Sequence, residues 1–325
     1  MRAAVLHTPG TVPRYGERPD PPAQPGRTVV RVTAAPLVPL DLLCASGTSY
    51  FGRPSVPYVP GVQGVGVVEQ SDRLAAGTRV WFATSAGMAP GDGSLAELCS
   101  VDDADVVPID SAVPDGQVAA LGLSAVAAWM ALGWRARLAA GERVLVLGAG
   151  GAVGQVAVGA ARLLGASSVV AVCRSGAARE RAQLAGADEV VESSDDADRL
   201  TARLHAVGCD AVDVVVDPVF GAPATAAAAL LSTGGRLVNI GAAAGDNAVF
   251  SSALLRSRSA EILGYTNNAL TPEQRNEALR TIVDHAASGR LGVVHDLRPL
   301  SEVDAAWRQQ RDGEASLRVV LTPSG

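Results

Sequence analysis

The amino-acid sequence predicts an α/β protein with two domains, a doubly wound domain built on a parallel sheet and a β-rich domain that precedes it. Three features predict this. Short apolar runs separated by Gly and Pro fill the N-terminal third, apolar strands alternate with helical segments after Pro114, and a glycine-rich turn follows the first of those strands. We expect the first domain to cover residues 1–116, the second to cover 117–265, and residues 266–325 to return to the first.

The elements of the N-terminal region follow from short apolar runs bounded by turn residues. These runs predict strands at Ala3–His7, Val29–Ala34, Gly64–Glu69 and Arg79–Phe82. The uncharged segment Val118–Trp134 is shorter than the ~20 apolar residues of a membrane span, so it predicts a buried helix.

Strands and helices then alternate along the chain. The predicted strands are Arg143–Gly148, Ser168–Cys173, Glu189–Val191, Val212–Asp217, Arg236–Ile240 and Glu261–Tyr265. The predicted helices between them are Ala152–Leu164, Ala177–Leu184, Ala197–His205 and Ala222–Leu231. Such alternation implies βαβ units and therefore a parallel sheet.

The C-terminal segment begins with a helix start signal. Thr271 is a good N-cap, Pro272 suits the first helical position, and Gln274 completes a capping box. Apolar residues at helical spacing follow until Gly289, and Leu317–Leu321 predicts a final strand that returns to the N-terminal region.

Composition excludes several classes of function. A net charge of −6 and the lack of an Arg-rich aromatic patch argue against nucleic acid. The chain has no lysine, which excludes Schiff-base chemistry and the Tyr–Lys pair of short-chain dehydrogenases. Its four scattered cysteines form no disulfide or zinc pattern, and no signal peptide precedes them, so we expect a cytoplasmic protein without a membrane partner.

The segment Gly148–Gly154 reads Gly-Ala-Gly-Gly-Ala-Val-Gly and lies where a strand meets a helix. Its glycines let the backbone turn sharply and approach a diphosphate, which the helix N-terminus attracts. The alternative is a plain tight connection. We expect a dinucleotide here, held by Ala149, Gly151, Ala152 and Val153.

The end of the second strand predicts which dinucleotide binds. NAD-binding folds usually carry a carboxylate there, whereas this chain has Cys173, Arg174 and Ser175, with Arg179 one helical turn later. Guanidinium and hydroxyl groups suit a 2′-phosphate, so we expect NADP(H). Ordinary solvated arginines are the alternative.

Several segments together resemble the medium-chain dehydrogenase/reductase superfamily over nearly the whole chain, and most closely its zinc-free quinone oxidoreductase branch, which includes zeta-crystallin. They are Val56–Gly61 with Gly64–Val68, Gly122–Leu132, Gly186–Asp188, Asp213–Asp217 and Gly234–Gly241. The resemblance implies a Rossmann domain, a GroES-like catalytic domain, and a homodimer formed through the Glu261–Tyr265 strand. It also implies no zinc, since the positions of the family's catalytic ligands hold Val38, Val62 and Gln63, and the four-cysteine structural lobe is missing.

The resemblance implies direct hydride transfer from NADPH to a quinone or an α,β-unsaturated carbonyl. The Ser46–Tyr50 loop is similar to one that lines the site in quinone reductases, so Tyr50 is the candidate donor to the substrate oxygen, with Asp41 and Gln63 as further catalytic candidates. Phe51 and Tyr58 are equally suited to wall a flat substrate. By the same analogy, Ser124, Gly241, Ala242 and Asn267 flank the nicotinamide. The alternatives are a packing role for Tyr50, a structural hydrogen bond for Asp41 and a buried helix hydroxyl for Ser124.

Two other functions stay open at this point. The same residues would serve an enoyl-thioester or polyketide enoyl reductase, and a non-catalytic NADPH-binding protein is also compatible, because no nucleophile is required. NADPH consumption with a panel of acceptors separates the three.

Overall fold

The computed structural model describes residues 1–323, and the chain divides into two compact units. The first unit comprises Met1–Leu123 and the chain from Val294 on, and the second comprises Ser124–Val293. The predicted boundaries lay at 116/117 and 265/266, so the return to the first unit comes later than expected. The reason is that the helix after Thr271 packs within the second unit, where the rings of His285 and Trp129 lie 5.3 Å apart.

The strands of the described chain are β1 (Arg2–Val5), β2 (Arg14–Glu17), β3 (Arg27–Pro36), β4 (Gln63–Gln70), β5 (Arg79–Ala83), β6 (Leu98–Asp102), β7 (Val106–Pro108), β8 (Arg143–Leu147), β9 (Ser168–Cys173), β10 (Glu189–Glu192), β11 (Val212–Asp217), β12 (Leu231–Asn239), β13 (Glu261–Gly264), β14 (His295–Pro299) and β15 (Arg318–Thr322). The α-helices are α1 (Pro39–Ser46), α2 (Asp115–Met130), α3 (Ala152–Leu163), α4 (Gly176–Leu184), α5 (Ala197–Ala206), α6 (Gly221–Ala229), α7 (Ser252–Arg258), α8 (Pro272–Ala287) and α9 (Val303–Arg311).

The second unit contains a six-stranded sheet in the order β10-β9-β8-β11-β12-β13, with every neighbouring pair parallel. This is the doubly wound order, in which the chain changes direction between β8 and β11. The apolar run of β8 fits its central place, because strands covered on both faces carry almost no polar side chains. Val144 pairs with Val214 on one side and with Val169 on the other.

The first unit is a mainly antiparallel β structure. Its seven-stranded arrangement runs β14-β15-β3-β4-β5-β7, with β6 also paired to β3, and β1 and β2 form a separate ribbon. The return of the C-terminal strand to the N-terminal region is confirmed, since β15 pairs with β3. The core of this unit contains Phe82, Leu95 and Trp307, all almost completely buried.

Most predicted strands and helices are confirmed to within a few residues, including the capping box at Thr271 and Gln274. The pattern missed α1, α7, α9, β2, β6, β7 and β14. Each of these elements is nine residues long or shorter, so the sequence offers only a few periods from which to recognise it. The helix predicted from Val118 begins at Asp115 and ends in a π-helical turn, Ala131–Arg135. Within the described residues, Asp115–Arg135 is the one helical stretch that is long and apolar enough to cross a membrane. Of its most apolar 18-residue segment, 67% is buried.

Candidate active site

The glycine-rich turn joins β8 to α3 at the carboxyl edge of the parallel sheet. Gly148 takes the left-handed conformation with φ +61°, and the turn is closed by a hydrogen bond from Gly151 N to Gly148 O (3.0 Å). Gly151 is the N-cap of α3, and no side chain caps this helix among the described residues. The N–H groups of Ala152 and Val153 in its first turn are thus left available for an anion.

Two glycines of this turn lie against atoms that a side chain would displace. A Cβ on Gly150 would lie 2.3 Å from the Cβ of Ala178 on α4. A Cβ on Gly154 would lie 2.4 Å from both Ala149 Cα and Gly148 O. The close approach of α3 to β8 that the glycine pattern predicts is therefore present.

Sequence reasoning missed two residues that hold this turn. Gln155 Nε2 donates to Gly150 O at 3.1 Å, and Arg181 Nε donates to the same oxygen at 3.0 Å. One carbonyl is thereby held by both flanking helices, α3 and α4. Gln155 could have been noticed as the one amide side chain in an apolar helix, whereas nothing in the sequence distinguishes Arg181 from its neighbours.

The residues predicted to hold a 2′-phosphate lie together where β9 meets α4. Ser175 is the N-cap of α4, and its Oγ accepts a hydrogen bond from Ala178 N at 3.2 Å. Arg174 and Arg179 are exposed, and within residues 1–323 neither guanidinium has a partner. Burial raises the pKa of the Cys173 thiol, so the strand end carries no negative charge. The local charge is positive.

The residues assigned to the nicotinamide half follow the ends of the neighbouring strands. Gly241 and Ala242 come after β12, and Gly241 O accepts a hydrogen bond from Asn239 Nδ2 at 2.7 Å. Asn267 comes after β13, and its Oδ1 accepts from the Tyr265 hydroxyl at 2.7 Å. Because β8, β9, β12 and β13 are parallel, their carboxyl ends bring these loops and the glycine-rich turn to one edge of the sheet. Ser124, 8% exposed, lies on α2.

Asp41 lies at the start of α1 in the first unit and is 1% exposed. Its Oδ2 accepts from Val38 N at 2.8 Å, and its Oδ1 accepts from Val62 N at 2.9 Å. Burial raises the pKa of Asp41 to about 6, against the opposing effect of those backbone donors. The carboxyl group thus joins the two loops at which the family resemblance places zinc ligands.

Gln63 is also completely buried, and its carboxamide explains a break in α2. Gly122 interrupts the helix with φ +31° and ψ −133°. Gln63 Oε1 accepts from Leu123 N at 2.7 Å and from Trp81 Nε1 at 3.2 Å. Because Leu123 N and Trp81 Nε1 are both hydrogen-bond donors, they identify the atom that they contact as the carboxamide oxygen. The amide nitrogen, Nε2, is buried without a hydrogen-bond partner among the described residues. A catalytic role for Gln63 stays a prediction, and this geometry favours a positioning role.

The aromatic residues of the first unit differ sharply in exposure. Tyr50 is 76% exposed, with its ring centroid 4.3 Å from that of Phe51. Tyr58 is 3% exposed and belongs to the core, where burial raises its pKa. A solvent-accessible hydroxyl suits a substrate-facing donor, and Tyr50 has one. It is not hydrogen-bonded to Asp41 or Gln63, so the three catalytic candidates do not form one bonded cluster.

The residues at the family's zinc positions do not fit zinc. Val38 and Val62 are buried apolar side chains without a ligand atom, and Gln63 uses its oxygen elsewhere. Across the described chain, no three His, Cys, Asp or Glu side chains gather closely enough to hold a metal ion. Zinc binding needs several thiolates, imidazoles or carboxylates at one point.

Two family descriptions match the chain. Residues 24–111 match the alcohol dehydrogenase GroES-like domain, and residues 152–284 match the zinc-binding dehydrogenase domain. The second description is named for the metal, although the ligand positions here hold Val38, Val62 and Gln63.

The relatives of this chain include polyketide synthases and quinone oxidoreductases. Over 304 residues, 90% of the chain, it is 31% identical to a phenolphthiocerol/phthiocerol polyketide synthase of Mycobacterium tuberculosis, of which it spans only 13%. It is 31% identical over 226 residues to the quinone oxidoreductase of Rattus norvegicus, covering 68% of the chain and 66% of the relative. Among solved structures, the quinone oxidoreductase of Thermus thermophilus, determined also in complex with NADPH, is 31% identical with a TM-score of 0.80, covering 99% of this chain and 100% of that one.

Proposed function

The chain belongs to the medium-chain dehydrogenase/reductase superfamily and to its quinone oxidoreductase branch, and from this premise we propose that it is a zinc-independent NADPH-dependent reductase of quinones or α,β-unsaturated carbonyls. One observation carries the proposal. The uncapped N-terminus of α3 lies at the same sheet edge as the exposed, unpaired Arg174 and Arg179, and that combination suits a dinucleotide with an additional phosphate.

The residues present fit NADPH. The N–H groups of Ala152 and Val153 suit the diphosphate, and Gly150 and Gly154 keep the turn free of side chains. Arg174, Ser175 and Arg179 suit the 2′-phosphate, while Gly241, Ala242, Asn267 and Ser124 are proposed to contact the nicotinamide half. When bound, NADPH supplies a hydride from its nicotinamide ring.

The proposed acceptor is a carbonyl compound in which the C=O group is conjugated, and a hydroxyl of the first unit can donate a hydrogen bond to its oxygen. Reduction of a quinone or enone places negative charge on the acceptor oxygen, and the acceptor's own conjugation spreads that charge. We propose that the Tyr50 hydroxyl donates a hydrogen bond to this oxygen. Both carboxylate oxygens of Asp41 accept hydrogen bonds from backbone N–H groups, and these contacts favour a role in holding loops, while a catalytic role for Asp41 stays a prediction.

Steady-state kinetics test the proposal. Oxidation of NADPH and of NADH is measured with quinones, enones, enals and acyl thioesters. We expect NADPH to be consumed with a quinone or enone and to be clearly preferred over NADH. Lack of oxidation with every acceptor, despite NADPH binding, would leave the non-catalytic alternative.

A second candidate function is reduction of an enoyl thioester. It is favoured by the 31% identity to the polyketide synthase, which extends over 90% of this chain. If the protein reduces acyl thioesters faster than free quinones and enones in the same screen, reduction of an enoyl thioester is its function.

Tyr50→Phe is expected to lower kcat by about tenfold, the size of effect that follows from losing one hydrogen bond at a charge-developing oxygen. NADPH affinity should not change, because only the donor to the acceptor is removed. Tyr15→Phe is the matched control, since it deletes a hydroxyl from the β1–β2 ribbon of the same unit. An unchanged kcat in Tyr50→Phe would demote Tyr50 to packing.

We also propose that the chain is a cytoplasmic homodimer. Within the described residues β13 pairs only with β12, so its outer edge is open to another strand. Trp134 lies beside this edge, 41% exposed, with its ring centroid 6.2 Å from that of Tyr265. Sedimentation equilibrium should give twice the chain mass of 33.0 kDa. The four buried, unpaired cysteines suit a reducing compartment.

A further inference from the structure

Asp217 ends β11, the strand beside β8 at the point where the strand order reverses. Ligands of doubly wound sheets bind at this crevice, outside the carboxyl ends of the strands. The side chain of Asp217 is completely buried, and no cation pairs with it in the described part of the chain. Burying a carboxylate costs free energy unless hydrogen-bond donors surround it. The donors that contact Asp217 therefore indicate its structural role.

One carboxylate oxygen shapes the loop that follows β11. Asp217 Oδ1 accepts from Phe220 N at 2.7 Å and from Val219 N at 3.0 Å. Phe220 has φ +55° and ψ −153°, a conformation that costs a non-glycine residue about 1–3 kcal/mol and persists only where neighbouring groups enforce it. The loop also lies against the glycine-rich turn, because a Cβ on Gly148 would lie 2.8 Å from Val219 Cγ1.

The other oxygen connects to the loop that follows β12. Asp217 Oδ2 accepts from Asn239 Nδ2 at 3.3 Å, and the same amide donates to Gly241 O at 2.7 Å. The two loops also contact directly, through a hydrogen bond from Ala244 N to Val219 O at 2.6 Å. A single buried side chain is therefore bonded, directly or through Asn239, to both loops.

Sheet order assigns these loops to one half of the cofactor. The 2′-phosphate residues follow β9, on one side of the glycine-rich turn, which places the adenosine half over that side. The loops after β11 and β12 lie on the other side, where the nicotinamide half must extend. We propose, on the basis of the proposed function, that Asp217 is a positioning residue that holds these two loops in the shape that binds the nicotinamide half.

The test compares two ligands that share the adenosine half. Asp217→Asn keeps the size of the side chain but turns an N–H group toward Asn239, so that two donors face each other. We expect Kd for NADPH to rise about tenfold, the loss typical of a hydrogen bond to a charged group, while Kd for 2′,5′-ADP stays within about twofold. If Asp217 acted only in folding, the variant would change the Kd values of NADPH and 2′,5′-ADP by the same factor.

Asp213→Asn is the matched control. It makes the same chemical change four residues earlier on the same strand, where Asp213 pairs with Arg143 and contacts neither loop. We expect wild-type Kd values for both ligands in this variant. If Asp217→Asn does not fold, Asn239→Ala removes the link to the second loop and should show the same separation between NADPH and 2′,5′-ADP.

Equal weakening of both ligands, or no weakening of NADPH, would overturn the role of Asp217. If the wild-type protein binds neither NADPH nor 2′,5′-ADP, the proposed function itself fails, and the assignment of Asp217 fails with it. The two failures are therefore distinguishable, because one appears in the variant and the other in the wild type.

Discussion

Replacing Arg174 and Arg179 together with glutamine is expected to lower the preference for NADPH over NADH by about 100-fold in kcat/KM, since two hydrogen bonds from cations to a phosphate are lost at about tenfold each. Both side chains are exposed and without partners in the described structure, so their removal breaks no other contact. NADH, which has a hydroxyl in place of the phosphate, should be used as well as before. The ratio of the two kcat/KM values measures the effect.

The control for this double variant keeps the same change of charge. Arg256 and Arg280 are exposed arginines of the second unit, on α7 and α8, and neither belongs to the proposed cofactor residues. Arg256→Gln with Arg280→Gln should leave the NADPH/NADH ratio unchanged. If both double variants lowered NADPH use equally, long-range charge would explain the preference, and the assigned phosphate contacts would be wrong.

Gly154→Ala is expected to lower the free energy of unfolding by about 3 kcal/mol or more, the upper range for overpacking a tight site. Its added Cβ would lie 2.4 Å from Ala149 Cα and from Gly148 O, which are backbone atoms of the glycine-rich turn. Relief of this contact must displace either the turn or the start of α3. NADPH affinity should fall by more than about tenfold as well. Urea denaturation and NADPH titration measure the two effects.

Gly133→Ala is the control within the same unit, since the nearest atom to its new Cβ is Leu164 Cδ1 at 4.0 Å. We expect its unfolding free energy to change by less than about 1 kcal/mol. A stable Gly154→Ala variant that still bound NADPH tightly would contradict the close packing of α3 on β8 and with it the shape of the binding turn.

Asp41 joins two loops at which the family resemblance places metal ligands. Where the resemblance places metal ligands, the chain has Val38 and Val62, and Asp41 accepts hydrogen bonds from the backbone N–H groups of both. The carboxylate thus keeps the loops together, while the apolar side chains leave no ligand atom. The sequence predicted that these positions hold no zinc, which stays a prediction, and the structure shows that Asp41 joins the two loops.

The sequence by itself determined the doubly wound sheet, the β-rich unit and the position of the glycine-rich turn. These depend on signals within a few residues of one another: the apolar run of β8, the glycines from Gly148 to Gly154, and the arginines that follow β9. Backbone sterics and strand burial act locally, so a pattern along the chain is enough to reveal them.

Only the tertiary structure decided which polar side chains hold these loops. Gln63 bonds to Leu123 N, 60 residues away, and Asn239 reaches Asp217 from 22 residues away. It also decided that α8 belongs to the second unit, since its contact with Trp129 joins distant parts of the chain. A buried polar group must find a partner wherever the fold brings one, and sequence spacing does not encode that distance. The hydrogen bonds by which Asp217 and Arg181 hold these loops could therefore not be predicted until the strands and helices around them were in place.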